Sequence, residues 1–130
     1  MTRNASRDGS VEMDWAGGRH LFRLGIEELE KVQEACDAGP HWVMGRLANK
    51  TWLVADIRGP LLWGLVGGGM AVVDAQKLVK TYMVSPLLQH VMTAYVIVSA
   101  ALNGAPDEDE KPRGDESPNV EAATGSRTGK

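Results

Sequence analysis

The sequence predicts a mainly α-helical protein with a short N-terminal antiparallel β-hairpin, that is, an α+β fold in which a small single-domain helical bundle packs on the hairpin. Two patterns carry this prediction. Apolar and polar residues alternate between residues 11 and 24, which is the period of a strand, whereas apolar residues recur every three or four positions from residue 26 to residue 102, which is the period of a helix. A chain of 130 residues is long enough for one domain and short for two, so we expect one core.

The hairpin is predicted over residues 10–24. Its apolar residues occupy every second position on both sides of Gly17-Gly18, a pair that readily takes the positive φ values of a two-residue turn. Because an isolated two-stranded ribbon is only marginally stable, its apolar face should lie on the helices. With Gly17-Gly18 as the loop, the expected register pairs Trp15 with His20, Met13 with Phe22 and Val11 with Leu24 on one face, and Glu12 with Arg23 on the other.

Two helices should follow the hairpin. Helical spacing starts at Ile26, and Gly39-Pro40 ends the first helix near Asp37. Pro40 can begin a second, shorter helix that ends around Asn49-Lys50. The residues expected to face inward are Ile26, Leu29, Val32 or Gln33, and Cys36 in the first helix, and Trp42, Val43, Leu47 and, as a further candidate, Met44 in the second.

The most apolar stretch of the chain covers residues 56–70. A helix here is apolar around most of its circumference, so it belongs inside the core. We expect it to start at about Ala55 with a kink at Pro60; the alternative places Pro60 near its first turn. Gly67-Gly68-Gly69 should end it, because glycine favours the left-handed conformation that closes a helix. A phosphate-binding loop is disfavoured, since the triplet follows a helix and no Lys-Ser/Thr pair comes after it.

Two more helices are predicted after the glycine triplet. The first covers residues 74–83, and the second covers residues 86–102, with Ser85 as its N-cap and Pro86 at its first position. Asn103-Gly104 closes the second helix. The residues expected to face inward are Ala75, Leu78, Val79 and Tyr82 in the first, and Leu87, Val91, Tyr95, Val98 and Leu102 in the second.

The last helix has more apolar surface than a modest core needs. Leu88, Met92, Val96 and Ile97 lie beyond its main stripe, with Ile97 near a polar face that holds His90. These four residues are the candidate partner-binding site, where a helix of another protein could dock. The other interpretation, equally open, is that they pack inside the domain or in a homo-oligomer.

The two ends of the chain differ from its middle. Residues 1–9 are polar and without periodicity, which predicts a disordered arm before a hairpin-plus-helical domain at residues 10–104. Residues 105–130 are rich in Pro, Gly, Ser and acidic residues and have no aromatic residue, which predicts a disordered acidic tail. The acidic run at 107–110 is more typical of a solubilising tail than of a cation site or a nucleic-acid mimic.

No arrangement of residues suggests catalysis, a cofactor or a metal. His20, His41 and His90 are scattered without a second ligand at the spacing of a zinc site. Cys36 has no basic neighbour in sequence that would favour a thiolate, and its position on an apolar helix face indicates a core residue. Nothing brings together a nucleophile, a base and an oxyanion donor, so we expect a protein that is not an enzyme.

Composition excludes several kinds of partner. A net charge of -3 and a pI near 5.6 argue against nucleic acid, which requires a basic surface. The N-terminus has no apolar signal segment, and no apolar run is long enough to span a bilayer, so we expect a cytoplasmic protein without membrane contact. A single cysteine, Cys36, is consistent with a reducing compartment.

The order of these motifs resembles a known family. A strand hairpin, then Leu-Gly-Ile-Glu-Glu-Leu-Glu-Lys-Val-Gln at 24–33, then Ile-Arg-Gly-Pro-Leu-Leu-Trp-Gly-Leu-Val-Gly-Gly-Gly at 57–69, and then a helix carrying Ala75, Leu78 and Val79 is similar to the tail protein family typified by gene product 10 of gene transfer agents. These agents are phage-like particles of alphaproteobacteria. The resemblance covers about residues 10–103, and Pro60 and the acidic tail depart from the family pattern.

The resemblance implies a role in building a phage-type tail. The protein would be a tail-assembly chaperone that binds apolar helices of the tape-measure protein while tube subunits polymerise, or else a permanent tail tube subunit. Tube subunits usually build rings from extended β-sheets, and the single hairpin predicted here favours the chaperone. A third possibility, an orphan small-ligand or regulatory binding module, would need a pocket with convergent polar groups, which the sequence does not indicate.

Overall fold

A computed structural model of the protein describes residues 4–5 and 8–104, in which three strands precede five helices. The predicted α+β class is confirmed, and the predicted tail at 105–130 lies outside the described residues. The strands are β1 (Asn4–Ala5), β2 (Ser10–Trp15) and β3 (Gly18–Arg23), and the helices are α1 (Ile26–Cys36), α2 (Pro40–Ala48), α3 (Val54–Gly67), α4 (Val72–Tyr82) and α5 (Leu88–Asn103).

The predicted hairpin is present, but its register is shifted by two residues. The loop is Ala16-Gly17, with φ values of 52° and 76°, because a tight hairpin turn needs positive φ at both central positions. Trp15 therefore lies opposite Gly18, and Val11 lies opposite Phe22 instead of Leu24. A two-residue shift keeps every side chain on its predicted face, so Val11 and Phe22 are both fully buried.

A third strand occupies part of the predicted N-terminal arm. Asn4 and Ala5 pair antiparallel with Glu12 and Val11, so the sheet order is β1-β2-β3. Gly9, with φ of +85°, turns the chain back toward β2. The sequence alone gave no pattern for β1, because this pairing satisfies backbone groups along the outer edge of β2 and needs no apolar side chains.

The centre of the fold is α3, as predicted. It packs against β3, α1, α4 and α5, and Ile57, Leu61 and Leu65 are buried along its length. The helix runs continuously from Val54 through Pro60, which agrees with the prediction that Pro60 lies inside it. None of the helices in the described residues is long and apolar enough to span a bilayer.

The inward faces of α1, α2 and α4 agree with the predictions at their centres and differ at their edges. Ile26, Trp42 and Tyr82 were expected inside but are exposed by 73%, 69% and 44%. Ile26 is the first residue of its helix, and Tyr82, the last residue of its helix, keeps an edge contact with Trp15, with ring centroids 6.4 Å apart. The predicted residues that are buried are Val32, Cys36, Val43, Leu47, Ala75 and Val79.

The largest correction concerns α5. The helix begins at Leu88, and Ser85 does not cap it. Its buried face carries His90, Ala94 and Ile97 together with Val98, whereas the predicted stripe residue Leu102 is 37% exposed. Because α5 is apolar on most sides, its sequence does not identify the buried face, which is decided by the elements that pack on it, α2, α3 and the hairpin.

Candidate interaction surface

The N-terminal end of α3 is held by a buried carboxylate. Asp56 is fully buried, and its Oδ1 and Oδ2 accept hydrogen bonds from Nη2 and Nε of Arg46 at 2.7 and 2.9 Å. The backbone N–H of Leu53 donates to the same Oδ2 at 2.8 Å, and Arg46 Nη2 also donates to the carbonyl of Cys36 at 3.2 Å. Arg46 thereby links α1, α2 and α3, and the contact with Asp56 raises the pKa of its guanidinium.

Cys36 lies beside this network and is confirmed as a core residue, with 2% of its surface exposed. Its Sγ lies 3.3 Å from the carbonyl oxygen of Ala55, to which the thiol donates. Burial, reinforced by the nearby Asp56 carboxylate, raises the pKa of the Cys36 thiol to about 12. The thiol is therefore protonated at neutral pH and unsuited to act as a nucleophile.

The C-terminal end of α3 is held by close packing of backbone. The glycine triplet ends the helix as predicted, but it also lies directly on β3. A Cβ at Gly67 would overlap the carbonyl oxygen of Arg23, and a Cβ at Gly68 would overlap that of Leu21. These two carbonyls lie on the side of β3 away from β2, as the register requires, so the triplet covers part of an otherwise open strand edge.

The structure separates the four candidate partner-binding residues. Leu88 and Met92, one helical turn apart on α5, are 73% and 65% exposed. Val96 is half-buried, and Ile97 is 1% exposed, with its Cγ2 only 3.2 Å from the place that a Cβ on Gly64 would occupy. Ile97 is therefore a core residue. We call the exposed pair, Leu88 and Met92, the α5 surface.

A groove of about 420 Å³ runs between α3 and α4. Its apolar lining includes the buried Val79 and the half-buried Leu62, Met83 and Leu87. Arg58 and Lys80 are exposed along it. Sequence reasoning missed this site, although one signal pointed to it: Arg58 is the only basic residue in the apolar stretch that forms α3, so its long side chain is expected to reach water. We call this feature the α3–α4 groove.

The three histidines do not form a site. His90 is buried on α5, and its Nδ1 accepts a hydrogen bond from the Trp15 indole N–H at 3.1 Å. The Nε2 atoms of His20 and His90 are buried without a hydrogen-bond partner in the described chain. His41 is exposed on α2. Within residues 4–5 and 8–104, no three His, Cys, Asp or Glu side chains are placed to hold a metal ion.

Comparison with known proteins identifies one family. The family model described as "Phage tail tube protein, GTA-gp10" matches residues 8–104, a span that takes in the hairpin and all five helices. No curated protein and no solved structure shows significant similarity to the chain.

Proposed function

Because the chain belongs to the phage tail tube protein, GTA-gp10, family, we propose that it helps to build the tail of a phage-like particle as a tail-assembly chaperone. In this role it binds apolar helical segments of the tape-measure protein in the cytoplasm while tube subunits polymerise. The protein works through protein–protein contact and uses no cofactor.

The α5 surface is the observation that carries this proposal. Burying a leucine or methionine side chain contributes roughly 1.5 to 3 kcal/mol relative to leaving it in water. Leu88 and Met92 stay largely in water in the isolated chain, so they do not make this contribution, although the helix that carries them is otherwise well packed. Their spacing of four residues places both on one face, which is the arrangement that receives a partner helix.

The second candidate is a permanent tube subunit, which the family description favours. The sheet offers little support for it. Gly67 and Gly68 lie on one outer edge, at β3, and β1 pairs with part of the other, at β2. Backbone groups available for adding a strand from a neighbouring subunit are therefore concentrated near the hairpin tip. A ring built through sheet edges would have to use this short stretch or displace one of these covers.

Co-expression with the tape-measure protein of the same particle tests the proposal. We expect the wild-type chain to co-purify with it, and we expect Leu88→Asp and Met92→Asp to abolish the association while leaving the fold intact by circular dichroism. Ile26→Asp is the matched control, because Ile26 is 73% exposed on α1. The proposal is contradicted if Ile26→Asp loses the association while Leu88→Asp and Met92→Asp keep it. It is also contradicted if the wild-type chain does not associate with the tape-measure protein.

The protein content of purified particles separates the two candidates. A chaperone is expected in the assembling cell and absent from finished tails. A tube subunit is expected in finished tails at many copies per particle. Mass spectrometry of particles and of the cell lysate, normalised to the capsid protein, measures both.

A further inference from the structure

We infer that the α3–α4 groove binds an amphipathic helix whose apolar ridge is flanked by carboxylates. This inference rests on the proposed function, since the partner is the same class of apolar helical segment. It adds a second contact region, distinct from Leu88 and Met92, and it specifies the charge that the partner must carry.

The shape of the groove suits a helix ridge. Val54, Arg58 and Leu62 recur every four residues along one face of α3. On the opposite side lie Val79 of α4 and Met83, the residue that follows this helix. Two neighbouring helices with such facing rows leave a channel into which the side-chain ridge of a third helix can pack. Leu87 adds an apolar side chain immediately before the α5 surface, so the two regions are adjacent in the chain.

The charge of the groove is unbalanced. Among the residues that the structure describes, Arg58 and Lys80 line it and no carboxylate does. Within the described residues neither cation has an acidic group within 4.0 Å, whereas Arg19, Arg23 and Arg46 each do. Two unpaired cations beside an apolar channel favour an acidic partner and disfavour a basic one.

Other occupants of the groove fit less well. The acidic run at 107–110 of this chain would supply charge, but residues 105–130 contain a single large aliphatic residue, Val120, and so offer no apolar ridge. Helix α1 of a second copy is acidic, but Val32 and Cys36 are buried in its own fold and Ile26 is its only exposed large apolar residue, so it offers no apolar ridge. A separate amphipathic helix supplies both features at once.

Two synthetic helical peptides with the same leucine ridge, one flanked by glutamates and the other by lysines, provide the test. Titration calorimetry of each peptide into the full chain at low salt is expected to give about three- to tenfold tighter binding of the glutamate peptide, the effect of two exposed ion pairs. The double variant Arg58→Glu/Lys80→Glu should reverse this preference. The control Lys50→Glu/Lys77→Glu changes the net charge equally outside the groove lining and should keep the wild-type preference.

Several results would overturn the inference. One such result is that Arg58→Glu/Lys80→Glu still binds the glutamate peptide more tightly. Another is that Lys50→Glu/Lys77→Glu reverses the peptide preference to the same extent as the groove variant. If neutralising residues 107–110 in the full chain to Asn and Gln tightened peptide binding by more than tenfold, the acidic run would be the occupant. If light scattering showed a dimer that the groove variant abolished, a second copy of the chain would be the occupant of the groove.

The same variants keep this inference separate from the proposed function. If the wild type captures the tape-measure protein and Arg58→Glu/Lys80→Glu captures it equally well, the function stands and the groove assignment is wrong. If the wild type captures none of it but still discriminates between the peptides, the groove assignment stands and the proposed partner is wrong.

Discussion

The two ends of α3 are fixed in the fold by different physics. At the N-terminal end, a fully buried carboxylate, Asp56, receives two hydrogen bonds from Arg46 and one from the backbone. At the C-terminal end, Gly67 and Gly68 bring the helix backbone onto the carbonyl oxygens of β3. One end depends on matched polar partners, and the other depends on the absence of side chains.

This difference determines which substitutions each end tolerates. Removing one partner of a buried ion pair costs much stability, because the other charge is left unpaired. Replacing both partners together with apolar side chains is often tolerated. A backbone contact at glycine has no such replacement, because any added Cβ meets atoms that cannot rotate away. The following predictions test this contrast, in order of decreasing expected effect.

The largest effect is expected for Asp56→Ala. The substitution leaves the partly buried Arg46 guanidinium and the Leu53 N–H without their acceptor, which should lower the free energy of unfolding by about 3 kcal/mol. Urea denaturation followed by circular dichroism measures it. The double variant Arg46→Met/Asp56→Leu should recover more than half of the loss. A cost below about 1 kcal/mol for Asp56→Ala would show that the pair does not hold this end of α3.

A somewhat smaller effect is expected for Gly67→Ala. The new methyl group would overlap the Arg23 carbonyl, so α3 and β3 must separate, at a cost of about 2 to 3 kcal/mol. Gly45→Ala is the control: Gly45 lies within α2, a Cβ there has no heavy atom within 4 Å, and the change should stabilise the protein by about 0.5 to 1 kcal/mol. Equal effects at the two positions would contradict the close-packing explanation.

An intermediate effect is expected away from α3, where Trp15 joins β2 to α5. Trp15→Phe keeps an aromatic ring but removes the N–H that His90 Nδ1 accepts, leaving a buried acceptor unpaired. We expect a cost of about 1 to 2 kcal/mol in thermal or urea unfolding. Trp42→Phe, at a tryptophan that is 69% exposed, should change stability by less than about 0.5 kcal/mol.

The smallest effect at neutral pH concerns the thiol at the polar end of α3. Burial raises the pKa of Cys36 from its ordinary value of 9.0 to about 12, so the folded state retains a proton that the unfolded state loses above pH 9. Stability should therefore be unaffected below pH 9 and fall between pH 9 and 12, with a slope of up to about 1.4 kcal/mol per pH unit.

Comparison with Cys36→Ala, under reducing conditions, isolates this contribution from the other groups that titrate at high pH. The variant should lose the part of the slope due to the thiol. Iodoacetamide should modify native Cys36 at pH 8 far more slowly than the unfolded chain. Rapid modification of the native protein would show that the thiol is accessible and that its pKa is not raised by burial.

The sequence predicted the candidate site only in part. Leu88 and Met92 could be found because they are excess apolar residues on a long helix, but Ile97 has the same character and is buried. The sequence could not show that Arg58 and Lys80 line the same groove, because they belong to different helices and come together only through the packing of α3 on α4.

The sequence by itself determined the hairpin and the five helices of this protein, but not β1. Period-two alternation set the hairpin and its faces, helical spacing set the helices, and the apolar stretch around Ile57 and Leu65 set which helix is central, because each signal is local. Tertiary structure alone decided the hairpin register, the buried face of α5 and the contact of Gly67 with β3. These depend on which surfaces meet across the fold, and a helix that is apolar on most sides carries no local information about which side will be covered.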